Sequence, residues 1–382
     1  MSRESYNLTD IPLDLLRRRR SAKWTSWPAD VLPAFVAEMD FPLARPVKEA
    51  LIQAIELDDT GYANAPASDL ANAFAGFASR RFGWEVDPAQ VTATTDVVGG
   101  LRALLDLVAG PGQGIVINPP VYFPFFSIVP ESGRELVEVP LTEGGRLDLA
   151  AIGRAFEAGA RAMILCSPHN PTGTVPTRPE LERLAELAAD HGAWILADEI
   201  HAPLTLEGAT HTPFLNVSPA ARECGICLTS ASKTFNIAGL GCAVIVTASP
   251  RARQLVAGLP AGATHPGHLG VIASQAAFES GDDWLDQVLV QLDFNRELLA
   301  RLLERNLPGA GYRQPEAGYL AWIDASRLGL GPDPATPIFD RARVAVSSGP
   351  GFGAGGEGHF RLNIGTSPAL VEAAVKSIGN AI

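Results

Sequence analysis

Cysteine is scarce in this chain, with four among 382 residues. So few thiols in a chain of this length do not make a disulfide framework. Cys224-Gly-Ile-Cys227 is a lone CxxC with no second pair, and reads as a chance spacing within a buried segment. His265 and His268 have no cysteine or carboxylate partner close by in the sequence, so no metal is expected. Charge is also thin: 19% of the residues are charged and the net charge is −12. A general nucleic-acid binder would carry a basic face, so that class is excluded. A small anionic substrate is not, because a local cationic pocket can sit in an acidic protein. Long apolar runs are missing too. Stretches such as Gly239–Ala248 are far too short to span a bilayer. The opening MSRESYNLTD is polar and has no apolar segment, which predicts no secretory signal and a cytoplasmic location. No internal repeat or low-complexity tract stands out, and the basic run Arg17–Arg20 reads as a solvated face or chain-end anchor.

What is present is a core. Apolar residues make up 47% of the chain, enough to fill one large domain or two. Helical periodicity predicts helices over Pro46–Leu57, Ser68–Arg81, Val97–Val108 and Arg178–His191. Short apolar runs predict strands at Val91–Thr94, Ile115–Asn118, Ala162–Cys166, Trp194–Ala197, Ile226–Ser230 and Cys242–Thr247. Fully apolar strands between amphipathic helices indicate an α/β fold with a mostly parallel sheet covered on both faces. A long helix at Asp282–Asn306, then Gly318–Ile323, a glycine-rich loop and the strand His359–Ile364, predict a second, smaller α+β domain. The expected division is a large domain over residues 46–280 and a small domain from 1–45 plus 281–382.

In parallel sheets ligands sit beyond the C-terminal ends of the strands. Three polar motifs fall there: Ser167-Pro-His-Asn170-Pro-Thr-Gly173, Asp198-Glu-Ile-His201 and Thr229-Ser230-Ala-Ser232-Lys233-Thr-Phe-Asn236. Each alone is ordinary. Asn-Pro-Thr-Gly is a plausible turn, Asp-Glu after a strand is often a helix cap, and Ser-x-Ser-Lys is a polar loop. Together they bring an amide, a carboxylate and a lysine to the rim of one sheet. The stretch Gly349–Gly356 is not a dinucleotide loop, because a strand follows it and not a helix; it reads as a mobile loop beside the active site.

The combination resembles fold-type I pyridoxal 5′-phosphate (PLP) enzymes of the aminotransferase class I/II superfamily, with an aspartate aminotransferase-like fold. More narrowly it resembles the cystathionine β-lyase and C–S lyase branch. The narrower likeness rests on Lys23-Trp24, Met39-Asp40-Phe41, Gly61-Tyr62, Cys166–Gly173, Asp198–His201, Ser232–Asn236 and Phe360–Gly365, which span nearly the whole chain.

The resemblance implies roles. Lys233 matches the lysine that forms a Schiff base with PLP and serves as the catalytic base. Asp198 matches the carboxylate against the pyridine nitrogen. Asn170 and His201 match groups near the phenolic oxygen, and Tyr122 the ring stacked on the cofactor face. Val97 and Val98 open a helix whose amides suit the phosphate, with hydroxyls from Ser230 and Ser232 and the Tyr62 of a partner subunit. Arg361, with Asn170, matches the clamp for the substrate α-carboxylate. Three departures stand out. Asp96 replaces Gly or Ser at the phosphate helix and is expected to turn away as a cap. Gly241 stands eight residues after Lys233, where many aminotransferases have arginine. Val175-Pro176-Thr177 occupies a stretch where the branch usually has Trp, which leaves the sulfur substituent open. The implied activity is β-elimination on L-cystathionine or another cysteine S-conjugate by a homodimer, with no nucleic-acid or membrane partner. An aminotransferase with the same cofactor, and a PLP-binding regulatory module, remain open alternatives.

Overall fold

The computed structural model describes residues 5–64 and 68–382, so part of the polar N-terminal stretch lies outside the described residues. Five short strands are buried along their whole length: Gly114–Ile117, Ala162–Cys166, Trp194–Asp198, Gly225–Thr229 and Ala243–Val246. Their side chains alternate between two faces, as the pleat requires. Val116, Met163, Ile195 and Cys227 join one core cluster. Ile115, Ile164, Leu196 and Ile226 join a second cluster on the opposite face. Burial on both faces explains why these strands read as unbroken apolar runs.

These strands form the centre of a seven-stranded sheet. Its order runs Val91–Thr94, Ala243–Val246, Gly225–Thr229, Trp194–Asp198, Ala162–Cys166, Gly114–Ile117, Glu135–Glu138. All run the same way except Ala243–Val246, which is antiparallel to both neighbours. Thr94, Cys166, Asp198 and Thr229 therefore end at one edge of the sheet. The helix Val97–Val108 leaves that edge and lies close against it. Gly100 makes this possible, because a Cβ there would meet the Leu228 side chain at 2.9 Å.

A smaller antiparallel sheet is ordered Ser347–Ser348, His359–Asn363, Leu320–Asp324, Gly311–Tyr312. The helices Asp282–Asn306 and Pro368–Ala381 pack together beside it. The N-terminal segment is tied to this part of the chain. Leu32–Pro33 pairs in parallel with Val344–Ala345, and the Asn363 N–H donates to the Ala34 carbonyl.

The expected helices are present with ends moved by a residue, as in Arg45–Glu56 and Arg178–Asp190. The glycine-rich stretch, read as a mobile loop beside the active site, carries a short helical turn, Pro350–Phe352. Phe352 is buried, and a Cβ on Gly349, Gly353 or Gly356 would collide with neighbouring atoms, so this segment is tightly packed. Among the described residues no helix is long and apolar enough to cross a membrane.

Candidate active site

The three polar motifs do meet. Asp198 ends its strand 4% exposed, and its Oδ1 accepts from the Ile200 N–H at 3.1 Å. Burial drives its carboxyl up to about 7, opposed by that hydrogen bond and by Lys233, with Glu199 adding to the rise. Lys233 lies in a short turn of helix, Ala231–Thr234, that follows the strand Gly225–Thr229. Its Nζ donates to the Ala37 carbonyl at 3.0 Å. Burial, then the Arg361 charge, lowers its pKa, which favours a free amine.

Asn170 sits in the turn after Ala162–Cys166. That turn needs Gly173 at φ +67°, and a side chain there would strike Pro315. The Asn170 backbone N–H donates to Cys166 Sγ at 3.3 Å, and its Oδ1 accepts from Arg361 Nη1 at 2.9 Å. Arg361 comes from the small sheet, so this one bond joins the two sheets. Its Nη2 donates to the Phe35 carbonyl at 3.0 Å and to Ser347 Oγ at 3.1 Å. Phe352 lies 5.0 Å from its guanidinium carbon. Burial lowers the Arg361 pKa to about 10, still a full cation near neutral pH. Its Nε is buried without a hydrogen-bond partner among the described residues, as is His201 Nδ1.

His201 is buried beside the Tyr319 ring, and burial first, then Lys233 and Arg361, push its pKa down to about 3. It is a neutral imidazole at physiological pH. Tyr122 packs edge-on to Phe125 at 5.6 Å, and burial and Asp198 raise its pKa.

At the neighbouring strand end, Asp96 caps the helix Val97–Val108: its Oδ1 accepts from the Gly99 N–H at 2.8 Å. Its carboxylate is thus turned onto its own helix, as expected, and the Val97 and Val98 amides open that helix. Ser230 opens the turn of helix that carries Lys233. Its hydroxyl proton goes to the Cys242 carbonyl at 2.6 Å, and its oxygen accepts from the Ser232 N–H at 3.0 Å. Ser230 thus caps that turn, and Ser232 is half-buried. Tyr62 is fully exposed, on the rim of a cavity of about 1010 Å³ that Asn64, Gln90, Arg253, His265 and His268 also line.

Lys23-Trp24 and Met39-Asp40 stand apart in the sequence. In the fold they are one buried unit. Lys23 Nζ reaches Asp40 Oδ2 at 2.8 Å and Trp24 Nε1 donates to Asp40 Oδ1 at 3.0 Å. Asn236 then holds the Met39 backbone through both its N–H and its carbonyl, each at 2.8 Å. These contacts lay the 35–40 segment across Lys233. The carbonyls of Phe35 and Ala37, Ser347 and Phe352 were not foreseen. Backbone acceptors carry no sequence signal, and Phe352 lay hidden among glycines. Cys224 and Cys227 serve different partners, Ala185 and Glu199, and all four thiols are free and buried.

Residues 36–378 match the family model for aminotransferase class I and II. A Mycobacterium leprae protein named "Putative cystathionine beta-lyase" is 40% identical, over 99% of this chain and 98% of its own. The cystathionine beta-lyase of Corynebacterium glutamicum is 35% identical, over 97% of this chain and 99% of its own. Among solved structures, the PLP-bound C–S lyase of Staphylococcus hominis, complexed with L-cycloserine, superposes with a TM-score of 0.91. It is 28% identical, and 98% of each chain is covered.

Proposed function

This chain belongs to the aminotransferase class I and II family, and from that premise we propose that it is a PLP-dependent carbon–sulfur lyase. It acts on a cysteine S-conjugate, L-cystathionine among them, and yields pyruvate, ammonia and a thiol. Relatives named cystathionine β-lyase and a neighbour named C–S lyase support the reaction class. The observation that carries the reading is the buried Arg361–Asn170 bond, which sets a carboxylate clamp in the same buried site as an amine of lowered proton affinity.

The residues fit the cofactor. An aldehyde needs an amine, and Lys233 supplies one with a depressed pKa. A pyridine nitrogen needs a carboxylate, and Asp198 is buried with a single backbone donor on one oxygen. A phenolic oxygen needs donors. Asn170 has its Oδ1 taken by Arg361, which leaves its Nδ2 to donate, with the neutral His201 beside the site. A phosphate suits the N-terminus of the helix Val97–Val108, where the Val97 and Val98 amides and the Ser232 hydroxyl can donate. When bound, PLP supplies an electron sink that makes the α-C–H bond of an attached amino acid acidic.

The chain's own groups do the rest. Arg361, always charged, grips the α-carboxylate and fixes the amino acid's orientation. Lys233 accepts the α-proton at Nζ as general base. Tyr122 holds the cofactor ring's tilt. The Ala37 carbonyl accepts from Lys233 Nζ and holds the amine in place. Tyr62 is fully exposed on its own chain, and we further propose a homodimer in which it completes the partner's phosphate site.

The test is turnover. Cystathionine with PLP should release pyruvate over many cycles with no added ketoacid. Alanine, which has no leaving group, should exchange its α-proton and go little further. Faster transfer from alanine to a ketoacid than elimination from any cysteine conjugate would replace the lyase with an aminotransferase.

A further inference from the structure

Asn363 commits its side chain to one short stretch of backbone, and none of the roles above uses it. It ends the strand His359–Asn363 and is buried. Its Nδ2 donates to the Val36 carbonyl at 2.6 Å and to the Glu38 carbonyl at 2.7 Å. Its Oδ1 accepts from the Gly365 N–H at 2.7 Å. The amide therefore bridges the two carbonyls that flank Ala37. Those flanking residues are also joined directly, because the Glu38 N–H donates to the Val36 carbonyl at 2.9 Å. A bond from one residue back to the second before it closes a three-residue turn, here centred on Ala37.

The carbonyls of this segment sort by partner. Val36 and Glu38 face Asn363. Phe35 and Ala37 face the site, accepting from Arg361 Nη2 and from Lys233 Nζ, each at 3.0 Å. Asn363 lies two residues after Arg361 on one strand, so the two side chains leave the same face of it. That strand carries the carboxylate clamp and, through the Ala37 turn, holds the carbonyl that receives the base. Both flanks of the turn are pinned to the same stretch. The Asn363 N–H donates to the Ala34 carbonyl at 2.9 Å, and the Asp40 N–H donates to the Gly365 carbonyl at 2.8 Å. The substrate makes this link matter. Its α-carbon bears both the carboxylate that Arg361 grips and the proton that Lys233 takes, so base and clamp must keep a fixed register.

We infer that Asn363 sets that register: it holds the Ala37 turn so that the Ala37 carbonyl meets Lys233 Nζ, while Arg361 projects from the same strand. Asn363 is a positioning residue that acts through the backbone of residues 36–38. The inference rests on the assignment of Lys233 and Arg361 as base and clamp.

Borohydride reduction of the wild-type holoenzyme comes first. PLP fixed anywhere but Lys233 removes that assignment, and the inference goes with it. Competitive labelling of amines in the apoprotein, read by peptide mapping across a pH series, then gives the titration midpoint of Lys233. It compares wild type with Asn363→Ala and with Asn363→Leu, which keeps the volume but none of the bonds. The charged groups that face Lys233, namely Arg361, Glu38 and Asp198, and the neutral His201 are the same in all three. A carbonyl that accepts from the ammonium form favours it. Both variants should therefore lower the midpoint by about one unit and label Lys233 about tenfold faster near neutrality. With cystathionine, KM should rise and kcat should fall in both, because clamp and base lose register together; a smaller folded fraction would lower kcat alone. An unmoved midpoint, an unchanged KM, or a midpoint that rises because Lys233 has merely gained water overturns the inference. An effect in Asn363→Ala that Asn363→Leu lacks belongs to lost volume and overturns it too. If neither variant folds, Trp24→Phe decides in their place. It removes the bond to Asp40 Oδ1 at the far end of the same segment, and should lower the Lys233 midpoint by a smaller step; no movement overturns the inference equally.

Discussion

Asp198 carries its stability effect in a sign opposite to most surface carboxylates. Its pKa rises to about 7 in the folded chain, chiefly through burial, against an ordinary value of 3.8. Between those two values the folded apoprotein binds more protons than the unfolded chain. Stability therefore falls as pH rises through that window. Asp198→Asn has no charge to bury. The melting temperature of the apoprotein variant should thus gain on wild type between pH 4 and pH 7, and the gap should level off above. A gap independent of pH would mean that Asp198 is already ionised at low pH. The same variant should be a poor enzyme, because the pyridine nitrogen would lose its proton. Arg361→Ala should cost elimination from cystathionine and α-proton exchange from alanine alike, by at least ~1.5–3 kcal/mol for a charge-assisted contact. Steady-state kinetics on both substrates checks this; a loss on one alone would place Arg361 off the carboxylate. At this scale much of the site was legible. Lys233, Asp198, Asn170, His201 and Arg361 carry polar chemistry on short motifs, each ordinary alone and legible through their combination and order. The capping bond of Ser230 was not legible, because a serine hydroxyl looks the same in a sequence whether it faces a ligand or caps a helix.

The elements set how those residues are presented. The helix Val97–Val108 begins with a carboxylate at its cap, held on its own Gly99 amide. That arrangement satisfies one orphan N–H and complements the helix dipole. Asp96→Ala should lower stability by about 1 kcal/mol. Asp96→Asn keeps the acceptor but drops the charge, so it should melt near wild type and retain PLP at least as well. Denaturant unfolding and dialysis against PLP-free buffer measure the two effects. Equal destabilisation by both variants would show that charge, not capping, is what Asp96 supplies. The fully buried strands were legible because burial on both faces writes an apolar run. Glu135–Glu138 was not, since an edge strand with a glutamate at each end looks like loop text. Nor was the reversed direction of Ala243–Val246, because strand periodicity carries no polarity. The close packing within the glycine stretch was not legible for a related reason. Glycines mark freedom in a sequence, yet here they mark close backbone approach around Phe352.

The whole molecule raises the question that one chain leaves to its neighbour. Tyr62 is entirely exposed and lies beside a cavity of about 1010 Å³, while Lys233 is half-buried elsewhere. In the proposed dimer a tyrosine so placed serves the site of the other subunit. The symmetry of a twofold dimer makes this testable by mixing. Lys233→Ala lacks the base and the Schiff-base amine and should be inactive alone. Tyr62→Ala should lose PLP readily and turn over slowly. Refolded together, the two variants form mixed dimers with two unlike sites. If Tyr62 acts across the interface, one site combines both defects and the other combines neither. Activity should then recover to roughly a quarter of the wild-type level per subunit after random mixing. If Tyr62 serves its own chain, every site in the mixed dimer retains a defect, and the mixture should do no better than the average of its parents. Sedimentation at assay concentration gives the companion measurement, because an active monomer is incompatible with a site built from two chains.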